Sequence, residues 1–301
     1  MGSSKSIGLA ADSPSFDSGP EARRPLITVG PPRFSPFAMA SWFGRLLHYR
    51  DLLYTLTIHR VKVRYKQSVL GLAWAVLQPL MLMVIYTVIF SYIVKMPSDG
   101  TPYAIFAYAA LLPWTSFSTA LTTATGGVVS NSNLVSKVYF PREILPLSYV
   151  LSALVDLAIA SVVMLGLLWH YHVTLTWSAL YVFPIIFVMV LFTTAGGLFL
   201  GALNVRIRDI GVAMPLLLQL WMYATPVVYP MSALHKLPPL LRTVYQINPM
   251  VGVVENFRRV LLQGAAPEWQ SLGIATIISL ICLPSAYVYF KHKEATMADI
   301  I

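Results

Sequence analysis

Cysteine, acidic residues and charge of either sign are scarce in this chain, and each shortage narrows what it can be. The single cysteine, Cys282, rules out an intrachain disulfide and a multi-cysteine metal site. It lies in an apolar segment, where a thiol reads as a small buried side chain. Charged residues are 11% of the chain and hydrophobic ones 57%, whereas soluble domains carry about 25% charge, so a water-soluble globule is excluded. The 12 acidic residues include no pair placed together in a long loop, which leaves a sugar transferase without its catalytic carboxylates. No G-x-x-x-x-G-K-[ST] phosphate loop occurs, so the chain is not expected to hydrolyse ATP or hold a cofactor. His170 and His172 have no third ligand in sight, and no metal site is expected.

Long apolar runs are what the chain has instead. From Val69 to Val94 there is no charge at all, well beyond the ~18 residues that cross a ~30 Å hydrocarbon core as a helix. Spans are expected near 69–94, 103–128, 147–169, 179–203, 211–229 and 271–290, giving an all-α integral membrane fold with six transmembrane helices. Residues 1–40, rich in Ser, Pro and Gly, read as a disordered tail without a secretory signal, and residues 41–301 as the transmembrane domain.

Between tail and first span, Trp42, Phe43, Leu46, Tyr49, Leu53 and Leu56 recur at helical spacing, with Arg50 and Asp51 among the polar positions. That pattern predicts an amphipathic helix lying along the membrane surface. It runs into Arg60, Lys62, Arg64 and Lys66, a cluster that belongs on the cytoplasmic side. Arg142, Lys137, Arg206, Arg208, Lys291 and Lys293 fall on the same side, while the two short outer loops hold only Lys95. Both termini are therefore expected in the cytoplasm, although Lys236, Arg242, Arg258 and Arg259 in the long outer segment offset part of the bias. Because the cations flank spans, the net charge of +9 speaks for topology and against nucleic-acid binding.

Two connections stand out. The outer segment Met231 to Gln270 is apolar yet broken by charges and by Asn248-Pro249, since proline disfavours a helical residue before it. It reads as a re-entrant pair of half-helices between spans five and six, or else as a surface loop with two amphipathic helices. On the inner side, Lys137, Val138, Tyr139, Phe140, Pro141, Arg142 and Glu143 form an aromatic and basic knob suited to docking another protein, with a membrane-resting hairpin as the alternative.

The stretches RYKQSVLGLAWAVLQPL (64–80), SKVYFPREILPLS (136–148), NVRIRDIGVAMPLLLQLWMYATPVVYP (204–230), NPM (248–250) and the closing ADII resemble the permease subunit of ABC-2 polysaccharide exporters, nearest to those for O-antigen and teichoic acid. The resemblance covers almost everything after residue 40. It implies a homodimer of this chain joined to two copies of a separate ABC ATPase in the inner membrane, with Lys137 to Glu143 as the coupling helix seated on the ATPase. The helix from Trp42 to about Leu56 would be a second contact. The implied cargo is a polysaccharide on a polyprenyl-diphosphate lipid.

Sugar rings need flat apolar faces, and Tyr86, Phe90, Trp114, Trp221, Tyr223 and Tyr229 are the aromatic candidates for lining a channel. Packing between helices or interfacial belts explain the same residues. Arg60 to Lys66 are candidates for receiving the diphosphate, with topology charge as the plain alternative. Asp156, within the third span, predicts a buried hydrogen-bonded acid, because no second intramembrane acid accompanies it. Pro79 predicts a kink in the first span, and Gly197 with Gly201 close helix packing in the fourth. An ion-coupled carrier or channel, and a membrane-embedded transferase, are the rival classes.

Overall fold

The computed structural model describes residues 44, 46–66, 68, 70–98, 100–138, 140–236 and 238–300, and they belong to one compact unit. The tail expected at 1–40 and the candidates Trp42 and Tyr139 lie outside the described residues. Every regular element among the described residues is helical. In chain order these are α1 (Arg50–Lys66), α2 (Ala73–Tyr86), α3 (Tyr103–Gly127), α4 (Ser132–Lys137), α5 (Ile144–His170), α6 (Val182–Arg206), α7 (Asp209–Tyr223), α8 (Pro239–Ile247), α9 (Pro249–Leu262) and α10 (Trp269–Ile300).

Among the described residues, five helical segments are long and apolar enough to cross a membrane: Ala73–Ile93, Tyr103–Gly127, Ile144–His170, Trp177–Arg206 and Trp269–Glu294. The helix expected at 211–229 is α7, which has only 15 residues, about 22 Å of rise. It is followed by turns from Ala224 and falls short of the length expected for a sixth span. Ala73–Ile93 begins as α2 and ends as a π-helical stretch, Thr87–Ile93, where the Val94 N–H donates to Ile89 O five residues back at 2.9 Å. Such widened turns cluster at functional sites.

The core is organised around α3, which packs against α2, α5, α6, α7 and α9. Its side chains explain why: Ala107, Ala109, Ala110, Ala120 and Ala124 are buried on all sides and let neighbouring backbones approach. Gly197 and Gly201 of α6 do the same from the other side, with a Cβ at Gly197 falling 2.9 Å from Ala124 Cβ. The close-packing face expected from their spacing is thus the α3–α6 contact.

The broken segment after α7 is two helices, and burial decides between the two readings of it. Asn248 is extended (ψ 114°), as a residue before proline must be, and its side chain accepts from the Met250 N–H at 3.1 Å to cap α9. Nearly all of α9 is buried, against α3, α6 and α10. A surface loop would not hide Arg258, which is 2% exposed, stacks 3.6 Å over the Phe106 ring, and donates to the carbonyls of Pro226 and Val227 at 3.0 Å each. The half-helix α9 is set into the Tyr103 end of the bundle, as the re-entrant reading has it, while Val244 and Ile247 of α8 stay exposed.

The amphipathic helix is anchored on α5. Arg60 of α1 reaches Ser148 and Arg64 reaches Asp156, so α1 climbs along α5 over eight residues, about 12 Å. Its second half packs beside α5, where Arg64 and Asp156 neutralise each other. Leu46, Tyr49, Leu53 and Leu56 pack partly buried on the cluster of Phe140, Tyr287, Phe290 and Met297, while Arg50 stays exposed beside Asp51.

Candidate functional site

A row of hydroxyls crosses the middle of α3: Thr115, Ser116, Ser118, Thr119, Thr122 and Thr123. Hydrocarbon offers such groups nothing, so they must bond inward or face a cavity. Thr115 donates to Leu111 O and Thr123 to Thr119 O, both at 2.7 Å, which spends their protons on their own helix and leaves lone pairs facing out. Two cavities lie along this face. One, of about 350 Å³, is bounded by α1, α2, α3 and α5 and includes Arg64, Trp74, Gln78 and Asp156. The other, of about 420 Å³, lies among α2, α3 and α7 and includes Tyr86, Trp114, Ser118, Thr122 and Gln219. Gln78, Thr119 and Thr123 line both, so the two form one groove along α3 with amide and hydroxyl walls.

At one end of the groove sits a charged knot. Arg64 pairs with Asp156 Oδ2, and the Tyr65 hydroxyl donates to Asp156 Oδ1 at 2.7 Å. Arg60 donates to Ser148 Oγ at 2.7 Å and lies 3.4 Å over the Tyr149 ring. Asp156 is therefore the hydrogen-bonded acid expected from sequence. Of the four basic residues singled out for a diphosphate, Arg60 and Arg64 are turned to these partners, whereas Lys62 and Lys66 are exposed.

Most of the aromatic candidates pack inside the bundle. Trp114 and Trp221 meet at 6.5 Å and share Phe117 between them at 5.5 and 5.3 Å. Tyr86 and Phe90 stand edge to face at 6.0 Å. Tyr86 and Trp114 also form the wall of the second cavity. Tyr229 donates to Tyr223 O at 2.8 Å and meets Tyr245, and Tyr223 itself is 48% exposed. The sequence reading put weight on these rings and passed over the hydroxyl row and the paired glutamines. Seven Ser and Thr residues between 115 and 125 of an otherwise apolar span were the signal.

The loop from Lys137 to Glu143 divides in two. Lys137 and Val138 are exposed at the end of α4. Phe140 is buried with Val135, Ile144 and Phe290. The Arg142 guanidinium donates to Glu294 O at 2.5 Å, and the Arg142 backbone N–H donates to Glu294 Oε1 at 3.1 Å. Glu143, 1% exposed, receives Lys291 Nζ at 2.6 Å. Burial pushes the Glu143 carboxyl up from its ordinary range, and Lys291 pulls it back. The inner half of the loop is thus bolted to the end of α10, while Lys137 and Val138 at the tip are exposed.

Comparison with known proteins agrees with this architecture. The family described as "ABC-2 type transporter" matches residues 51–262. The chain is 29% identical to "O-antigen export system permease protein RfbA" of Myxococcus xanthus, over 85% of this chain and 97% of that protein. It is 27% identical to the protein of the same name from Klebsiella pneumoniae, over 83% and 95%. It is 23% identical to "Polysialic acid transport protein KpsM" of Escherichia coli, over 80% and 93%. None of these is described as a transferase or an ion-coupled carrier. With its groove-bearing bundle, re-entrant helix and a family match over most of its length, the chain is a multi-pass membrane protein that belongs to the ABC-2 type transporter family.

Proposed function

We propose that this chain is the membrane subunit of an ATP-driven polysaccharide exporter in the inner membrane, with both termini in the cytoplasm. The observation that carries the reading is the polar groove along α3. A face of Gln78, Ser118, Thr119, Thr122, Thr123 and Gln219 at membrane depth needs a cover other than lipid. A second copy of the chain supplies one if the two grooves meet, which makes a homodimeric channel. Its hydroxyl and amide edges suit sugar hydroxyls, and Tyr86 and Trp114 offer ring faces. An O-antigen export permease and a polysialic acid transport protein among the relatives support a glycan cargo, and a polyprenyl-diphosphate anchor fits the exposed Lys62 and Lys66 beside the groove's charged end.

Energy comes from two copies of a separate ABC ATPase docked at the Gly127 end of α3, on the tip formed by Lys137 and Val138. Movement of that tip passes through Phe140, Arg142 and Glu143 into α10, and through the same packed cluster into α1. The test is to purify the tagged chain in mild detergent from its own cells and identify what stays bound. An ABC ATPase in equal number is the expected companion, and together they move lipid-linked glycan across vesicle membranes only with ATP. Glycan transport by the chain alone, without nucleotide, would end the proposal.

A further inference from the structure

Away from the groove, a second pocket of about 220 Å³ lies between the ends of α6 and α10, lined by Val205, Arg206, Tyr289, Lys293, Thr296 and Met297. Both membrane-length segments, Trp177–Arg206 and Trp269–Glu294, finish at this level, so the pocket sits where hydrocarbon gives way to water. Two cations from different helices converge on it. Among the side chains described, neither is in an ion pair; Lys293 is 5.8 Å from the Tyr289 ring centroid. The nearest acid in sequence on α10, Glu294, is occupied by Lys291 at 2.6 Å and by the Arg142 N–H. A helix C-terminus attracts a cation on its own account, which explains Arg206 but not Lys293, whose helix continues to Ile300.

Below the pocket, the Tyr289 ring packs on Phe199 at 5.0 Å, and Phe199 is 42% exposed on a membrane-length helix. Anionic recognition above an outward apolar strip is the chemistry of an amphiphile with a phosphate head and an acyl chain. We propose that Arg206 and Lys293 bind the phosphodiester head of an acidic phospholipid, with Tyr289 and Phe199 supporting its chain. The site is separate from the glycan groove and holds whatever the cargo proves to be. Its place beside the Glu294 and Lys291 cluster puts a bound lipid within one helical turn of the link between loop and α10.

The probes are phosphatidylglycerol and phosphatidylcholine, offered in equal amounts to the full chain in detergent, with retained lipid read by native mass spectrometry. The wild-type chain is expected to keep phosphatidylglycerol in preference. Arg206→Gln with Lys293→Gln loses about tenfold or more of that preference, as removal of charge-assisted hydrogen bonds to phosphate implies. The charge-keeping pair Arg206→Lys with Lys293→Arg retains it, which separates charge loss from misfolding. Equal retention of both lipids by the wild type, or undiminished phosphatidylglycerol on the Gln variant, overturns the site. Displacement by excess glycerol phosphate overturns the lipid and leaves a plain anion site. Displacement by the ATPase assigns the two cations to a protein partner and likewise overturns it.

Discussion

Glu143 and Lys291 lie 148 positions apart and meet at 2.6 Å with almost no exposure, the carboxylate at 2% and the ammonium at 9%. One belongs to the loop that follows α3, the other to the last membrane-length helix, and Glu294 completes the set at 2.6 Å from the same ammonium. Together with the Arg142–Glu294 bonds, the pair ties the loop to the end of α10.

Glu143→Gln is expected to cost about 3 kcal/mol, the low end for breaking a buried ion pair, because Glu294 still compensates Lys291. Thermal unfolding followed by fluorescence-detected size exclusion reads the loss. The double variant Glu143→Leu with Lys291→Met recovers part of it, since no buried charge is then left alone. A double variant worse than the sum of its singles would contradict the pairing.

The two halves of the loop separate in their effects. Lys137→Glu with Val138→Asp changes only exposed side chains, so stability stays within ~0.5 kcal/mol while ATPase co-purification is lost. Phe140→Ala empties a buried site and costs about 3 kcal/mol or more. Tip variants that still bring down the ATPase in full would displace the coupling assignment to another surface.

Thr119→Val with Thr123→Val keeps side-chain volume and deletes two groove hydroxyls. Folding and ATPase binding are expected to persist, while glycan delivered to the cell surface drops severalfold. Unchanged surface glycan would show that the groove is not the path.

Asp156→Ala strands Arg64 beside the groove. The side chains are 29% and 16% exposed, so the penalty is smaller than for a fully buried pair, on the order of 2 kcal/mol. Arg64→Met with Asp156→Leu is more stable than either single change. Equal melting of single and double variants would mean that the pair contributes nothing.

Gly252→Ala places a Cβ 2.6 Å from the Ser271 carbonyl oxygen of α10, a backbone atom that cannot step aside. The re-entrant helix then has to shift, at a cost of about 1–3 kcal/mol. Gly166→Ala meets open space and serves as the control.

Much of the fold was legible because a bilayer imposes a simple rule. Helices of membrane length need uncharged runs, and Tyr103–Gly127 starts and ends within a residue of expectation. The break at Asn248-Pro249 was legible for a local steric reason. The site was less so. The aromatic rings drew attention as sugar platforms, but Trp221, Phe117 and Phe192 are one packed cluster, a difference that depends on which way each helix is turned. Arg60 and Arg64 looked like free cations because Ser148, Tyr149 and Asp156 lie some 90 positions away.

Composition and local pattern settle that this chain lives in a bilayer and where its backbone must break, since solvation and sterics act on neighbours along the chain. Partnership across the chain is another matter. That Glu143 answers Lys291, that Asp156 answers Arg64, and that the hydroxyls of α3 share a groove with Gln78 and Gln219 follow from helix rotation and packing. Those are decided only when the helices compete for the same interior.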